Sequence, residues 1–235
     1  MGKLIALEWK KNRVGRYALG AAVLTAVLTL FLFAQCYLGI ANDPATGVPD
    51  AAPGTFNITS QVELVSNVCF LIFTCTMLAG CVTSAHKKKT MQLMFTYPVR
   101  RVKLLAAQML AVWLFAFLAM AAAKVLLYGL LFAVGQFLEP DFPMDYTMLA
   151  PGIYLQIVCK TTVTVTVSFI AMPMGHLFKS AKATMITALL LLFVMNGTVG
   201  EFSLADNALV PLVLTAAGVA CAALTLMGCE KRDVM

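Results

Sequence analysis

The chain has 235 residues, of which 61% are hydrophobic and only 12% charged, with a net charge of +6. Its mean hydropathy is +0.88. Soluble domains carry about 25% charged residues, so this composition excludes an ordinary soluble domain and indicates an integral membrane protein. The basic residues lie beside apolar runs, where they face lipid headgroups or a cytoplasmic partner, and we expect no nucleic-acid partner.

Six apolar runs are long enough to cross a bilayer, which takes about 20 residues in a helix. In chain order they are residues 17–41, 62–83, 104–137, 149–178, 183–199 and 209–228. The connections between them are too short for a separate domain. The sequence therefore predicts an all-α polytopic membrane protein, with six transmembrane helices in a single domain over residues 1–235.

The charges divide between the two sides of these runs. All basic residues except Lys124 and Lys160, 15 of 17, fall on one side. The opposite side carries no Lys or Arg but holds Asp43, Asp50, Glu63, Glu139, Asp141, Asp145, Glu201 and Asp206. Short loops rich in Lys and Arg stay in the cytoplasm, so both termini are predicted to be cytoplasmic.

The fourth run contains an ambiguous stretch, KTTVTVTVSF at residues 160–169, in which Thr and Val alternate as they would in a β-strand. An unpaired strand leaves its backbone groups unsatisfied in lipid, so we predict a helix here. Pro173 and Gly175 are expected to kink that helix near its inner end.

The connection between the second and third runs, HKKKTMQLMFTYPVRRVK at residues 86–103, is the strongest functional candidate. Its apolar residues recur at helical spacing, and a proline then disfavours helix. Such a segment either docks into a partner protein or lies on the inner membrane surface with its lysines against lipid phosphates. The residues concerned are Lys87, Lys88, Lys89, Met91, Met94, Phe95, Tyr97, Pro98, Arg100 and Arg101.

The string LMFTYPVRRVKLLAAQ (93–108) resembles the segment before the third helix in permease subunits of type-2 ABC exporters. There an apolar stretch is followed by Tyr-Pro, basic residues and a Leu-rich helix. The opening KLIALEWKKNR (3–13) resembles the N-terminal elbow of that family, placed here at residues 1–16, although an ordinary basic flank explains its charges equally well.

The resemblance implies that residues 90–101 form a coupling helix docked on a separate cytosolic ABC ATPase. It also implies a second permease copy or homologue, surrounding membrane lipids and a location in the bacterial plasma membrane. The cargo would be an amphipathic peptide or lipid-like molecule, as in relatives that export peptides or confer immunity to them. Many relatives have re-entrant outer helices before the last span. Residues 200–208 are too short for such a pair, unless the fifth run turns back after Asn196-Gly197.

No GxxxxGK[ST] motif occurs in the chain, so ATP and Mg are expected on the partner ATPase and no cofactor on this chain. We predict no catalytic and no metal-binding residues. An intramembrane enzyme is disfavoured because we interpret the apolar runs as lacking carboxylates and histidines.

Two lysines lie inside the runs, Lys124 in the third and Lys160 in the fourth. A charge inside a membrane is expensive and is a functional candidate by default. Polar residues that could line a substrate path with them are Thr164, Ser168 and Asn196. Two alternatives stay open: an ion-coupled secondary carrier that uses these lysines, or lysines that snorkel to the headgroups or pair with Glu63 or Glu139.

Overall fold

The computed structural model describes residues 2, 7, 9–10, 14–37, 58–83, 101–138, 151–178, 181–196, 198–199, 202–203 and 209–231. These parts are almost entirely helical, as expected where apolar segments must satisfy their backbone hydrogen bonds internally. The α-helices are α1 (Val14–Tyr37), α2 (Ile58–Leu78), α3 (Arg101–Leu138), α4 (Pro151–Val167), α5 (Ala171–Leu177), α6 (Ala181–Asn196) and α7 (Leu209–Lys231).

Shorter elements continue or connect these helices. A π-helical turn, Ala79–Thr83, extends α2, and a 3₁₀ turn, Ser168–Ile170, joins α4 to α5. After α6, strands β1 (Thr198–Val199) and β2 (Phe202–Ser203) pair antiparallel.

Five stretches of the described chain are long and apolar enough to cross a bilayer, which makes this a multi-pass membrane protein. They are Val14–Gln35, Thr59–Cys81, Leu105–Val134, Pro151–Gly175 and Val210–Met227. The sixth apolar helix, α6, has 16 residues and a length of about 24 Å, against about 30 Å for the hydrocarbon core. The count of six spans and the cytoplasmic position of both termini stay predictions.

The predicted fifth run, 183–199, is only partly helical. Its helix ends at Asn196, and Thr198–Val199 belongs to the β-pair instead. Gly200 and Glu201 stand between the two strands, and Gly at the first position of a two-residue connection is typical of a hairpin. Apolar content alone does not separate a helix from such a strand.

Helix α2 lies at the centre of the bundle, where it packs against α1, α3, α4 and α6. Helix α7 lies at the periphery, on α3, α4 and α5. Burial follows this arrangement: 50% of the most apolar window of α2 is buried, but only 11% of that of α7. The inner helices can therefore carry polar groups away from lipid.

The core around α2, α3 and α4 includes a polar and an apolar part. We call the part around Glu63 the polar half; its apolar lining includes Val62, Leu127, Tyr128 and Ile157. We call the other part the apolar half; it consists of Met77, Leu78, Cys81, Leu105, Met109, Val112, Phe169 and Met172.

The strand-like stretch of the fourth run is helical, as predicted. Thr162, Thr164 and Thr166 each donate a hydroxyl hydrogen bond to the carbonyl four residues earlier, which satisfies these hydroxyls within the helix. The regular helix gives way to the 3₁₀ turn one turn before Pro173. Proline has no N–H for the carbonyl of Phe169, and its ring clashes with that carbonyl.

Candidate functional site

A buried ion pair joins α2 and α3. The Lys124 side chain is 0% exposed, and its Nζ donates to Oε2 of Glu63 over 2.7 Å. The same ammonium donates to Oδ1 of Asn67 over 3.0 Å. The hydroxyl of Tyr128 donates to the other carboxylate oxygen, Oε1, over 3.2 Å. Both oxygens of this one carboxylate therefore have a donor.

Helical spacing brings these four side chains together. Glu63 and Asn67 stand four residues apart on α2, and Lys124 and Tyr128 stand four residues apart on α3, so each pair shares one helix face. The two faces meet where α2 and α3 pack. Apolar side chains surround the contact, and the low local dielectric strengthens the attraction while raising the penalty for an unpaired charge.

Helix α4 completes the cluster from the side. Nζ of Lys160 lies 4.0 Å from Oε2 of Glu63, and the Lys160 side chain is 43% exposed. One turn further along, the Thr164 hydroxyl lies 3.3 Å from Oδ1 of Asn67 and 3.0 Å from the Lys160 carbonyl. A hydroxyl has one proton, so Thr164 donates to one of these acceptors at a time. Glu63, Asn67, Lys124, Tyr128, Lys160 and Thr164 are called the charged cluster below.

Two sequence interpretations need correction here. Glu63 was assigned to the loops opposite the basic side, but it lies in the second turn of α2 and is buried, with 6% exposed. The statement that the membrane runs lack carboxylates is therefore wrong. Glu63 is the second residue of the predicted run 62–83, and α2 begins at Ile58, four residues before that run, so Glu63 lies well inside the helix. The sequence signal that could have placed Glu63 on a helix face is Asn67, which follows it four residues later.

For Lys124, pairing with Glu63 is confirmed and snorkelling is excluded, because the side chain is fully buried. Lys160 is half-exposed, and within the described residues its ammonium makes only the 4.0 Å contact with Glu63. The other proposed partner, Glu139, lies outside the described residues.

The remaining residues of the predicted substrate path lie apart from the cluster or cannot be placed. Ser168 is fully buried in the 3₁₀ turn, and its hydroxyl donates to the Val165 carbonyl over 2.6 Å. Asn196 is the last residue of α6, and its side chain lies outside the described residues. Across the described residues, no group of three or more His, Cys, Asp or Glu could hold a metal ion.

Most of the predicted coupling segment lies outside the described residues: Lys87, Lys88, Lys89, Met91, Met94, Phe95, Tyr97, Pro98 and Arg100. Arg101 is described as the first residue of α3, without its side chain. The described chain approaches the segment through the π-helical turn Ala79–Thr83 and leaves it at Arg101.

The predicted elbow is described at Gly2, Leu7, Trp9 and Lys10. The indole N–H of Trp9 donates to the carbonyl of Ala111 in α3 over 3.1 Å. Residues 9 and 111 therefore meet although 102 positions separate them. The sequence interpretation of this segment did not single out Trp9.

The fold and the charged cluster between three helices define a multi-pass helical membrane protein. Over 98% of its length the chain is similar to a Bacillus subtilis (strain 168) protein called Uncharacterized protein YcbO. The two are 25% identical over 243 aligned positions, which cover 99% of that protein. No family model matches the chain. No solved structure matches it either.

Proposed function

We propose that this chain is the permease subunit of a type-2 ABC exporter in the bacterial plasma membrane. It moves an amphipathic peptide or a lipid-like molecule out of the cell. Cytosolic ABC ATPase subunits bind ATP and Mg and supply the energy, and a second permease copy or homologue completes the path. The observation that carries this proposal is the segment 93–108, with Tyr97-Pro98, basic residues and a Leu-rich helix start in that order.

The described helices support a coupling role for that segment, because it connects α2 directly to α3. These two helices are fastened to each other by the Glu63–Lys124 pair. Lys124 lies 23 residues beyond Arg101, about 35 Å along α3. A push on the segment would reach the charged cluster as a rigid displacement of both helices.

Two irregular turns supply places where such a displacement can be absorbed. The π-helical turn Ala79–Thr83 stands between α2 and the coupling segment, and π turns are frequent at functional sites. The 3₁₀ turn Ser168–Ile170 interrupts the fourth span, and mid-helix 3₁₀ stretches often mark hinges.

Within this proposal, Lys124, Lys160, Thr164, Ser168 and Asn196 lie along the substrate path. Lys160 is the member whose charged side chain is half-exposed. Lys124 contributes through its contact with Glu63 and Asn67, because its own side chain is fully buried. A joint displacement of α2 and α3 against α4 would change the distance between Glu63 and Lys160.

Association with an ATPase tests the proposal. Native mass spectrometry of the detergent-extracted complex is expected to find a cytosolic subunit with a P-loop bound to the wild-type chain. Phe95→Asp combined with Tyr97→Ala is expected to abolish that association, because the substitutions place a charge on the docking face and remove an aromatic anchor. A matched control is Phe202→Asp combined with Tyr146→Ala, on the predicted outer side. ATPase association that survives Phe95→Asp/Tyr97→Ala would overturn the assignment of the coupling segment.

The second candidate is an ion-coupled secondary carrier, and the observation in its favour is the buried Lys124–Glu63 pair with Lys160 beside it. Buried ionisable groups in membrane helices commonly belong to ion pathways. The purified chain reconstituted alone in proteoliposomes separates the two candidates. Solute movement driven by an ion gradient, without an ATPase, would favour the carrier and contradict the exporter.

A further inference from the structure

We propose that Lys160 and Gln156 form a binding site for the phosphate of an anionic phospholipid on the exposed face of α4. The argument starts from the charges of the cluster, which contains two ammonium groups and one carboxylate. The carboxylate of Glu63 accepts hydrogen bonds from Lys124 over 2.7 Å and from Tyr128 over 3.2 Å. Lys160 reaches the same carboxylate only at 4.0 Å, so the cluster retains a positive charge on Lys160.

That charge lies on a surface that an external group can reach. The Lys160 side chain is 43% exposed, whereas the side chain of Lys124 is fully buried. Gln156 lies four residues earlier, on the same face of α4, and is also exposed. Side chains on a helix lean toward the helix N-terminus, so the stem of Lys160 leans toward the turn that holds Gln156.

The next turn of this face is open. Gly152 lies four residues before Gln156, is exposed, and has no atom within 4 Å of the place where a Cβ would stand. Gly152, Gln156 and Lys160 therefore form a strip that runs from the first turn of α4 to the edge of the charged cluster. The strip offers one ammonium and one amide to a ligand.

A phospholipid fits this strip better than a free anion because the neighbouring surface is apolar. Leu155, one residue before Gln156, is 68% exposed. This side chain presents an apolar surface to an acyl chain beside the strip. An anionic lipid also carries a net charge opposite to the one on Lys160, which a zwitterionic lipid does not.

The test is native mass spectrometry of the purified full-length chain, titrated with phosphatidylglycerol and, in parallel, with phosphatidylcholine. The wild-type chain is expected to bind one phosphatidylglycerol about five-fold or more tightly than phosphatidylcholine, as one lysine near a membrane surface provides. Lys160→Met is expected to abolish that preference and Lys160→Arg to keep it. Gln156→Leu is expected to reduce it.

Lys182→Met is the matched control, because Lys182 is an exposed lysine at the start of α6, away from the strip. It is expected to leave the lipid preference unchanged. Equal binding of the two lipids, or an undiminished preference in folded Lys160→Met, would overturn the proposal. Competition by inorganic phosphate at millimolar concentration would overturn the lipid as ligand and indicate a site for soluble anions. Neither result bears on ATPase association, so the exporter proposal is tested separately.

Discussion

The polar and apolar halves of the α2–α3–α4 core are held together by different interactions. In the polar half, Lys124 donates to Glu63 and Asn67 at 2.7 and 3.0 Å. The hydroxyl of Tyr128 donates to the other oxygen of the Glu63 carboxylate. In the apolar half, aliphatic, sulfur and aromatic side chains such as Met77, Leu105 and Phe169 fill the space.

The comparison shows which half specifies the helix arrangement. Apolar packing tolerates rotations and small slides, because many volume-conserving arrangements have similar energies. An ion pair with two further hydrogen bonds is satisfied at one relative rotation of α2 and α3. We infer that the polar half sets the register of the two helices that flank the coupling segment. The apolar half, nearer that segment, can then repack without loss of register.

The largest expected effect comes from breaking the ion pair. Lys124→Met or Glu63→Leu alone leaves one buried group without its charged partner, which costs about 3–5 kcal/mol of stability. Lys124→Met combined with Glu63→Leu removes both charges and is expected to recover most of that loss. Thermal unfolding of the detergent-purified protein measures the four-way cycle, with Lys182→Met as the exposed control. Equal losses in the single and double variants would show that the polar half does not depend on the pair.

A smaller effect is expected where α7 meets α4 beside the apolar half. A Cβ on Gly218 would overlap the carbonyl oxygen of Thr166, so Gly218→Ala forces the two helices apart. Overpacking of this kind costs about 1–3 kcal/mol.

Gly152→Ala is the control for this substitution, since its added Cβ meets nothing within 4 Å. It is expected to leave stability unchanged or slightly raised, because alanine favours helix more than glycine does. Thermal unfolding of both variants provides the measurement. A Gly218→Ala variant as stable as Gly152→Ala would mean that α7 moves freely on α4.

The smallest expected effect concerns the contact between the N-terminal segment and α3. Trp9→Phe keeps an aromatic ring but loses the hydrogen bond to the Ala111 carbonyl, worth about 1 kcal/mol. Hydrogen exchange is expected to quicken by about five-fold in the peptide that contains residue 9. Leu7→Ala, at a position 62% exposed, serves as the control and is expected to change little. Unchanged hydrogen exchange in Trp9→Phe would show that this hydrogen bond does not hold the N-terminal segment against α3.

Helix positions were predicted from hydropathy to within a few residues in most spans. The predicted third run, 104–137, corresponds to the helix Arg101–Leu138, and the predicted sixth run, 209–228, corresponds to the helix Leu209–Lys231. Long apolar runs leave one backbone solution in lipid, so composition is sufficient there. The prediction for the fifth run is wrong after Asn196, where Thr198 and Val199 form a strand next to Gly200.

The candidate site was predicted less completely. Lys124 and Lys160 were recognised from their place inside apolar runs, and Glu63 was named as a possible partner. Its assignment to the loop side was wrong, because charge distribution was used to place a residue that helix packing in fact buries. Trp9 gave no sequence signal, since its acceptor is a backbone carbonyl.

The sequence by itself determined that this is a multi-pass helical membrane protein, because helix formation in lipid depends on hydrogen bonds between residues four apart. It also determined that two lysines had to be accommodated inside the spans. Only the tertiary structure decided which lysine is neutralised and which stays half-exposed. Residues 63 and 124 lie 61 positions apart, and their distance depends on how α2 and α3 rotate against each other when they pack.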